Sequence, residues 1–444
     1  MSAPVPRRAF IKQVTAAGVG LGVTGLSAPT LLAGGSANEK LVVAVMGTNS
    51  RGAALAEGFA RLPGAEVAYI CDVDDQAIGK GLAAVQKGGQ KKKPKGIKDF
   101  RQALGDKSVD ALVIAAPDHW HAPAAILALQ AGKHVYVEKP CSHNPREGEL
   151  LVEAAGKYGR VVQMGNQRRS WPYVIEAIHE VKGGAIGRAY LARAWYANTR
   201  PSIGKGKAAP VPAGLDYELW QGPAPRQPFR DNLIHYNWHW FWHWGTGELL
   251  NNGTHFIDLC RWGLEVDYPV RVSSAGGRYA FQDDWETPDT QLTNWDFTNQ
   301  KSITWEGRSC NGRNVEGVSG GVAFYGEKGS LVVQGNGYTL YDNGNKELKK
   351  LSGDKTNPLD ATGPGFDLDA DHLANFREAV RQGVRPNSYI EDANKSVLLC
   401  QLGNIAHRVQ RTLPCDPATG KITGDAEATA LWGREYEPGW QPVV

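Results

Sequence analysis

The amino-terminal part of the chain alternates short apolar runs with segments of helical spacing. Residues 41–46 (LVVAVM), 67–72 (VAYICD), 111–115 (ALVIA), 134–137 (HVYV) and 161–164 (VVQM) are near-continuous runs of aliphatic and β-branched residues. Such runs are expected of strands buried on both faces. Helical segments lie between them, at 53–62 and at 122–131, the latter closed by Gly132. Strand, helix and strand in this order predict right-handed crossovers and a parallel sheet. From Arg169 the pattern changes. A helix over 173–182 leads to strand candidates at 189–196, 270–276, 290–297, 302–306, 321–325 and 330–334, separated by polar or glycine-bearing stretches. These predict an open, largely antiparallel sheet. Residues 201–228 are rich in Pro and Gly and read as a long loop that shapes a site. Helical stretches at 369–382 and 391–411 follow.

The ends of the first strands carry the chemistry. The first strand runs into Gly47-Thr48-Asn49-Ser50-Arg51-Gly52 and then a helix, the context a dinucleotide fingerprint requires. Gly47 allows a tight turn and Gly52 close packing of helix on strand. Backbone N–H groups at the helix start face a pyrophosphate. Asn49 stands where the middle glycine is usual, and asparagine tolerates a positive φ. Asp72 ends the second strand at the spacing where an acid binds ribose hydroxyls. Its carboxylate repels a 2′-phosphate and favours NAD, while Arg51 keeps NADP open. The expected class is α/β, with a Rossmann domain over 38–165 and an α+β domain with a large, mostly antiparallel open sheet over 166–444.

Two further strand ends read APDHWHA (residues 116–122) and HVYVEKP (134–140). Ligands of open parallel sheets bind at such carboxyl ends. Together these motifs resemble the Gfo/Idh/MocA family of nicotinamide-dependent oxidoreductases, in which the lysine of E-K-P is catalytic. The resemblance covers nearly all of the chain after its leader. It implies that Lys139 is catalytic and that Glu138, Pro117, His119, His121 and Gln167 lie along the cofactor. Ala116 replaces the threonine of the family's T-P-x-x-x-H. Residues 247–255 resemble its G-x-L-x-D-x-G-x-H, with Asn251 in place of the aspartate and His255 retained. Asparagine orients a hydroxyl but cannot take its proton. Acid–base duty therefore falls to His255 and Lys139, with Asp258 or Glu248 as a substitute carboxylate.

Residues 237–244 read NWHWFWHW. On a strand, Trp238, Trp240, Trp242 and Trp244 would share one face and offer indoles to a sugar ring. Tyr236, Trp238, Trp240 and His255 are the expected substrate contacts. His239 and His243 have helical metal-pair spacing without a clear third ligand, so no metal is expected. The expected function is hydride transfer to or from a sugar hydroxyl or ketone. A redox-neutral, NAD-dependent glycosidase and a non-catalytic nucleotide sensor are the alternatives.

Charge adds little: 49 basic and 46 acidic residues give a net +3 over 444 residues, and the one basic block, 91–95, lacks aromatics. No nucleic-acid partner is expected. Residues 1–37 combine Arg7-Arg8, an apolar middle rich in Gly and Ala, and a small-residue end, and so resemble a twin-arginine signal. This predicts a periplasmic protein without a stable membrane anchor, expected to be a homo-oligomer. The six cysteines form no C-x-x-C pair, and mostly free, buried thiols are expected.

Overall fold

Parallel strands fed by helices build the first half. The computed structural model describes residues 40–353 and 366–444, so the expected signal lies outside the described residues. The strands are β1 (Leu41–Met46), β2 (Ala65–Cys71), β3 (Lys95–Ile97), β4 (Ala111–Ile114), β5 (His134–Val137) and β6 (Val162–Met164), in the order β3-β2-β1-β4-β5-β6, all parallel. The helices between them are α1 (Arg51–Arg61), α2 (Asp75–Lys87), α3 (Arg101–Leu104), α4 (Asp118–Gln130) and α5 (Pro145–Tyr158). Local chemistry sets their ends. Asn144 caps α5 by accepting the Glu147 N–H, Pro145 opens it, and Gly159 closes it in the left-handed region. Strand order reverses between β1 and β4, which opens a crevice at their carboxyl ends.

The second half begins with α6 (Pro172–Lys182) and β7 (Ala189–Ala197), then α7 (Tyr217–Gln221), α8 (Gly247–Asn251) and α9 (Gly253–Leu264). Strands β8 (Arg271–Gly277), β9 (Thr290–Asp296), β10 (Ser302–Arg308), β11 (Gly320–Gly326), β12 (Gly329–Val333), β13 (Gly337–Asp342) and β14 (Glu347–Ser352) follow. The chain then forms α10 (Phe366–Gln382), α11 (Ile390–Val409), β15 (Leu413–Pro414) and α12 (Ala426–Ala430). The nine strands run β14-β13-β12-β11-β7-β10-β9-β8-β15, antiparallel except where β7 meets β10. Helices α9 and α11 cover one face of this sheet, and the Trp295 indole of β9 donates to the Leu399 carbonyl of α11.

Helix α10 returns to the first sheet. Leu373 and Phe376 pack with Leu41, Val43, Val45, Phe59 and Tyr136, so a late helix completes the core beneath β1. Removing a buried aromatic such as Phe376 typically costs ~3–5 kcal/mol.

The tryptophan run is not a strand. Asn237–Trp240 is a short 3-10 helix, and its amides bond locally, Phe241 N–H to Trp238 O and Gly245 N–H to Phe241 O. The indoles do not share one face. Trp240 stacks on Trp285 at 3.9 Å, while Trp238 and Trp244 join Tyr217, Trp220, Phe229, Leu233 and Phe241 in a separate aromatic core. The loop over 201–228 contains α7 and feeds the same core. All six cysteines are free, five of them buried and Cys310 half-buried. Among the described residues no helix is long and apolar enough to cross a membrane.

Candidate cofactor and substrate site

A cavity of about 430 Å³ runs from the carboxyl ends of β1 and β2 to the start of α9. At one end it is lined by Gly47, Asn49, Ser50, Arg51 and Asp72. Gly47 adopts φ +83°, and a side chain there would meet the Ala116 backbone at 2.5 Å. A Cβ on Gly52 would collide with the Gly47 carbonyl. Both positions therefore need glycine. The Ala53 and Ala54 amides of α1 donate to the Ser50 carbonyl; the Arg51 and Gly52 amides at the helix start have no acceptor within the helix, and the helix dipole favours an anion there. Thr48 does not reach the cavity with its side chain. Its N–H donates to Asp72 Oδ2 at 2.6 Å and its hydroxyl to the Ala77 carbonyl. Asn49 is not in the left-handed region, so the turn depends on Gly47 instead; Asn49 Oδ1 accepts from Lys80.

Asp72 also accepts the Asp74 N–H at 3.1 Å, and burial pushes its carboxyl upward. Arg51 is committed elsewhere. Its Nε donates to Glu138 at 2.8 Å and its Nη1 to Asp369 at 2.6 Å. A guanidinium held by two carboxylates does not capture a 2′-phosphate, so both groups at this end favour NAD.

The middle of the cavity is lined by Pro117, Asp118, His121, Glu138, Lys139 and Gln167. His121 braces the strand ends, its ring nitrogens 2.6 and 2.7 Å from the carbonyls of Pro140 and Ala116. His119 turns away from the cofactor crevice. Its Nε2 lies 2.9 Å from the Trp220 carbonyl and its ring packs on Trp220 and Trp244, because an imidazole between indoles is better placed in the aromatic core than beside a charged ligand. Gln167 Oε1 and both ring nitrogens of His255 are buried without a protein partner. Orphaned polar atoms along such a cavity fit a ligand rich in hydrogen-bonding groups. The residues present therefore suit NAD: Asp72 for the ribose, Gly47–Gly52 for the pyrophosphate, and the segment from Pro117 to Lys139 with Gln167 for the nicotinamide end.

At the far end Lys139, Asn251 and His255 converge. Lys139 Nζ donates to the Asn251 carbonyl at 2.7 Å and to Asn251 Oδ1 at 3.1 Å. Burial lowers the lysine, and Glu138 and Asp118 oppose that. Burial, with Lys139 close by, holds His255 well below the ordinary imidazole range, so its ring is neutral. Asn251 closes α8 and His255 lies in the first turn of α9. Glu248 Oε1 accepts from Asn252 Nδ2 at 2.5 Å and Asn251 Nδ2 at 3.3 Å, which turns the Asn251 oxygen toward Lys139. Asp258 is not available as a substitute carboxylate. It forms a buried bidentate pair with Arg169, at 2.7 Å on each oxygen, and accepts from Ser396.

Of the expected substrate contacts, Tyr236, Trp238 and His255 line the cavity and Trp240 does not. Trp240 lies between Trp285 and the Arg200 guanidinium. His239 and His243 each bond a backbone carbonyl, and among the described residues no group of three or more potential ligands could hold a metal ion. Sequence reasoning missed Tyr196, Asn198, Arg200, His235, His239 and Asn252, which also line the cavity. For the residues at and beyond the end of β7, the strand-end rule was the available signal. Arg200 donates to Glu248 and to the Tyr236 hydroxyl, both at 2.7 Å.

A parallel sheet with a glycine turn, an acid closing β2 and a lysine closing β5, joined to a mixed open sheet, defines a two-domain dinucleotide-binding protein. Residues 41–166 match the NAD-binding Rossmann fold of the Gfo/Idh/MocA oxidoreductase family, and residues 195–287 match the family's C-terminal alpha/beta domain. Both regions match this one family. It is 34% identical over 183 residues to a glycosyl hydrolase family 109 protein of Saccharopolyspora erythraea, spanning 37% of this chain and 40% of that protein. It is 32% identical over 163 residues to an inositol 2-dehydrogenase of Rubrobacter xylanophilus, spanning 36% and 45%. The chain thus matches less than half the length of either relative. Similar folds include a levoglucosan dehydrogenase in complex with NADH (18% identity, TM-score 0.65, covering 85% of this chain and 99% of that one). The WlbA dehydrogenase of Bordetella pertussis is another (19% identity, TM-score 0.62, 85% and 99%).

Proposed function

We propose that the protein is an NAD-dependent oxidoreductase acting on a CH–OH group of a sugar or sugar derivative. The supporting observation is the meeting of Lys139, Asn251 and His255 at the end of a cavity that begins at Gly47 and Asp72. NAD bound there supplies the hydride acceptor. Lys139, anchored by Asn251, donates a hydrogen bond to the reacting oxygen. His255, neutral and without a protein partner, accepts the hydroxyl proton. The Trp220 and Trp238 side of the pocket sheds water. The purified protein, without added nucleotide, should gain absorbance near 340 nm when offered its sugar. No gain with any of a broad panel of sugars and polyols overturns the reading.

We further propose that the cofactor is retained and that the protein is exported with it. Outside the cytoplasm no free pool replenishes NAD, so a twin-arginine leader requires a redox-balanced cycle. Support comes from the segment that follows β7. It crosses to the edge of the cofactor domain beside Asp72, with Asp216 N–H on the Val73 carbonyl at 2.9 Å and His235 Nε2 2.6 Å from Asp74 Oδ2. The similarity to a glycosyl hydrolase family 109 protein favours redox-neutral glycoside hydrolysis as a second reading. Turnover of aryl glycosides with C2 hydrogen exchange into deuterated solvent would select it. Turnover only with a second sugar acceptor would select the oxidoreductase.

A further inference from the structure

The chemistry above leaves a second imidazole of the cavity without a role. His239 sits in the short turn Asn237–Trp240, its ring stacked on Trp238 at 3.6 Å and 18°. Its Nδ1 lies 2.6 Å from the Tyr236 carbonyl oxygen. A carbonyl oxygen only accepts, so Nδ1 carries the hydrogen. A second proton could go only on Nε2. Burial opposes it, and Lys139, Arg200 and His121 add repulsion. Nε2 is thus a bare lone pair. It has no partner among the described residues, and it is not one of the fully enclosed side-chain atoms of the residues that line the cavity.

We propose that His239 Nε2 is the hydroxyl acceptor of the substrate pocket and that the pocket selects a neutral polyhydroxylated ring. The wall around it agrees. The cavity-lining cations Arg51, Arg200 and Lys98 are each paired with a carboxylate: Glu138 and Asp369, Glu248, and Asp75. Lys139 is engaged by Asn251. Among the described residues that line the cavity, no cation beyond Lys139 is left over to hold a carboxylate or phosphate on the sugar. An acceptor that cannot donate, facing a buried pocket, demands a hydroxyl and penalises a deoxy or O-methyl analogue.

The proposal rests on reading the cavity as a sugar site, so its test has an arm that needs no turnover. Long-range ¹H–¹⁵N spectra of histidine-labelled protein carrying its NAD give the ring tautomer, assigned with His239→Asn. The expected result at neutral pH is a protonated Nδ1 and a bare Nε2; a proton on Nε2 overturns the proposal. The second arm follows the bound NAD at 340 nm with myo-inositol, D-glucose and levoglucosan. His239→Asn keeps an amide N–H for Tyr236 but deletes the acceptor. It should raise KM roughly tenfold with kcat within about threefold, while NAD content stays at the wild-type level as a check on folding. His239→Gln, whose amide oxygen reaches toward the Nε2 position, should recover part of the loss. An unchanged KM in His239→Asn overturns the acceptor role. Failure of the wild type to oxidise any sugar overturns the oxidoreductase reading instead and leaves the tautomer result standing.

Discussion

At the residue scale the reacting groups are set by what holds them. His255 is buried and Lys139 half-buried, and burial shifts each toward its neutral form. Lys139→Ala and His255→Ala should each lower turnover by ~10²-fold or more, the usual loss for an acid–base group. Bound NAD, measured after denaturation, should stay at the wild-type level. Near-normal turnover in both variants would pass the role to Tyr236 or His239. Asn251 offers a sharper test. The family's aspartate at this position would stand 3.3 Å from Glu248 Oε1, and both positions are buried. Two carboxylates that close hinder each other's ionisation, even with Arg200 on Glu248 and Lys139 on position 251. Asn251→Asp alone should therefore lower kcat/KM and shift its pH dependence upward, and the added change Glu248→Gln should restore both. Additive losses in the double variant would show that the two positions are uncoupled.

At the element scale the segment after β7 ties the two halves together beside Asp72. The His235–Asp74 contact is one of its few side-chain ties to the cofactor domain. A hydrogen bond to a carboxylate is worth about 1.5 kcal/mol, so His235→Ala should speed loss of NAD on dialysis roughly tenfold. Asp74 is a poorer target because it also caps α2 through the Gln76 N–H. An unchanged release rate would place retention elsewhere. This element also marks where sequence reading stopped. β1, β4 and β5 were legible because continuous aliphatic runs have one low-energy use, a strand buried on both faces. The Gly47 turn, Asp72 and Lys139 were legible as the ends of those strands. The run of alternating tryptophans was not, because a two-residue period also suits tight turns whose indoles pack into more than one core. β13 and β14 were missed although Asp342–Lys346 has the turn chemistry of a hairpin, with Asn345 at φ +63°. The role of Arg200 and His239 depends on contacts with Glu248 and Tyr236 that no local pattern encodes.

At the scale of the whole molecule, buried imidazoles set the acid limit. Burial holds His119, His143, His239 and His255 well below the ordinary range, and His134 and His372 at about 4. The unfolded chain takes up these protons near pH 6.5 while the native protein does not. The stability they contribute is present above pH ~6.5 and is lost as pH falls toward 4 and below, by up to about 1.4 kcal/mol per group per pH unit. The unfolding midpoint should drop by several degrees between pH 7.5 and 5.5; a flat profile would mean that the rings titrate normally. The core beneath β1 makes a second prediction. A fragment of residues 38–166 lacks Leu373 and Phe376 and exposes Phe59 and Tyr136. It should be insoluble or fail to bind NAD, and adding the α10 peptide in trans should improve its solubility. A soluble, NAD-binding fragment would show that α10 is dispensable.

That same return of α10 constrains descent as well as folding. Arg51, beside the glycine turn, meets Asp369 across 318 positions of sequence. Any genetic crossover within that interval gives the offspring one parent's arginine and glycine turn with the other parent's closing helix. The cofactor half is continuous in space and split in the gene, so its two ends must be inherited together, and exchange of substrate halves between relatives is confined to insertions between them.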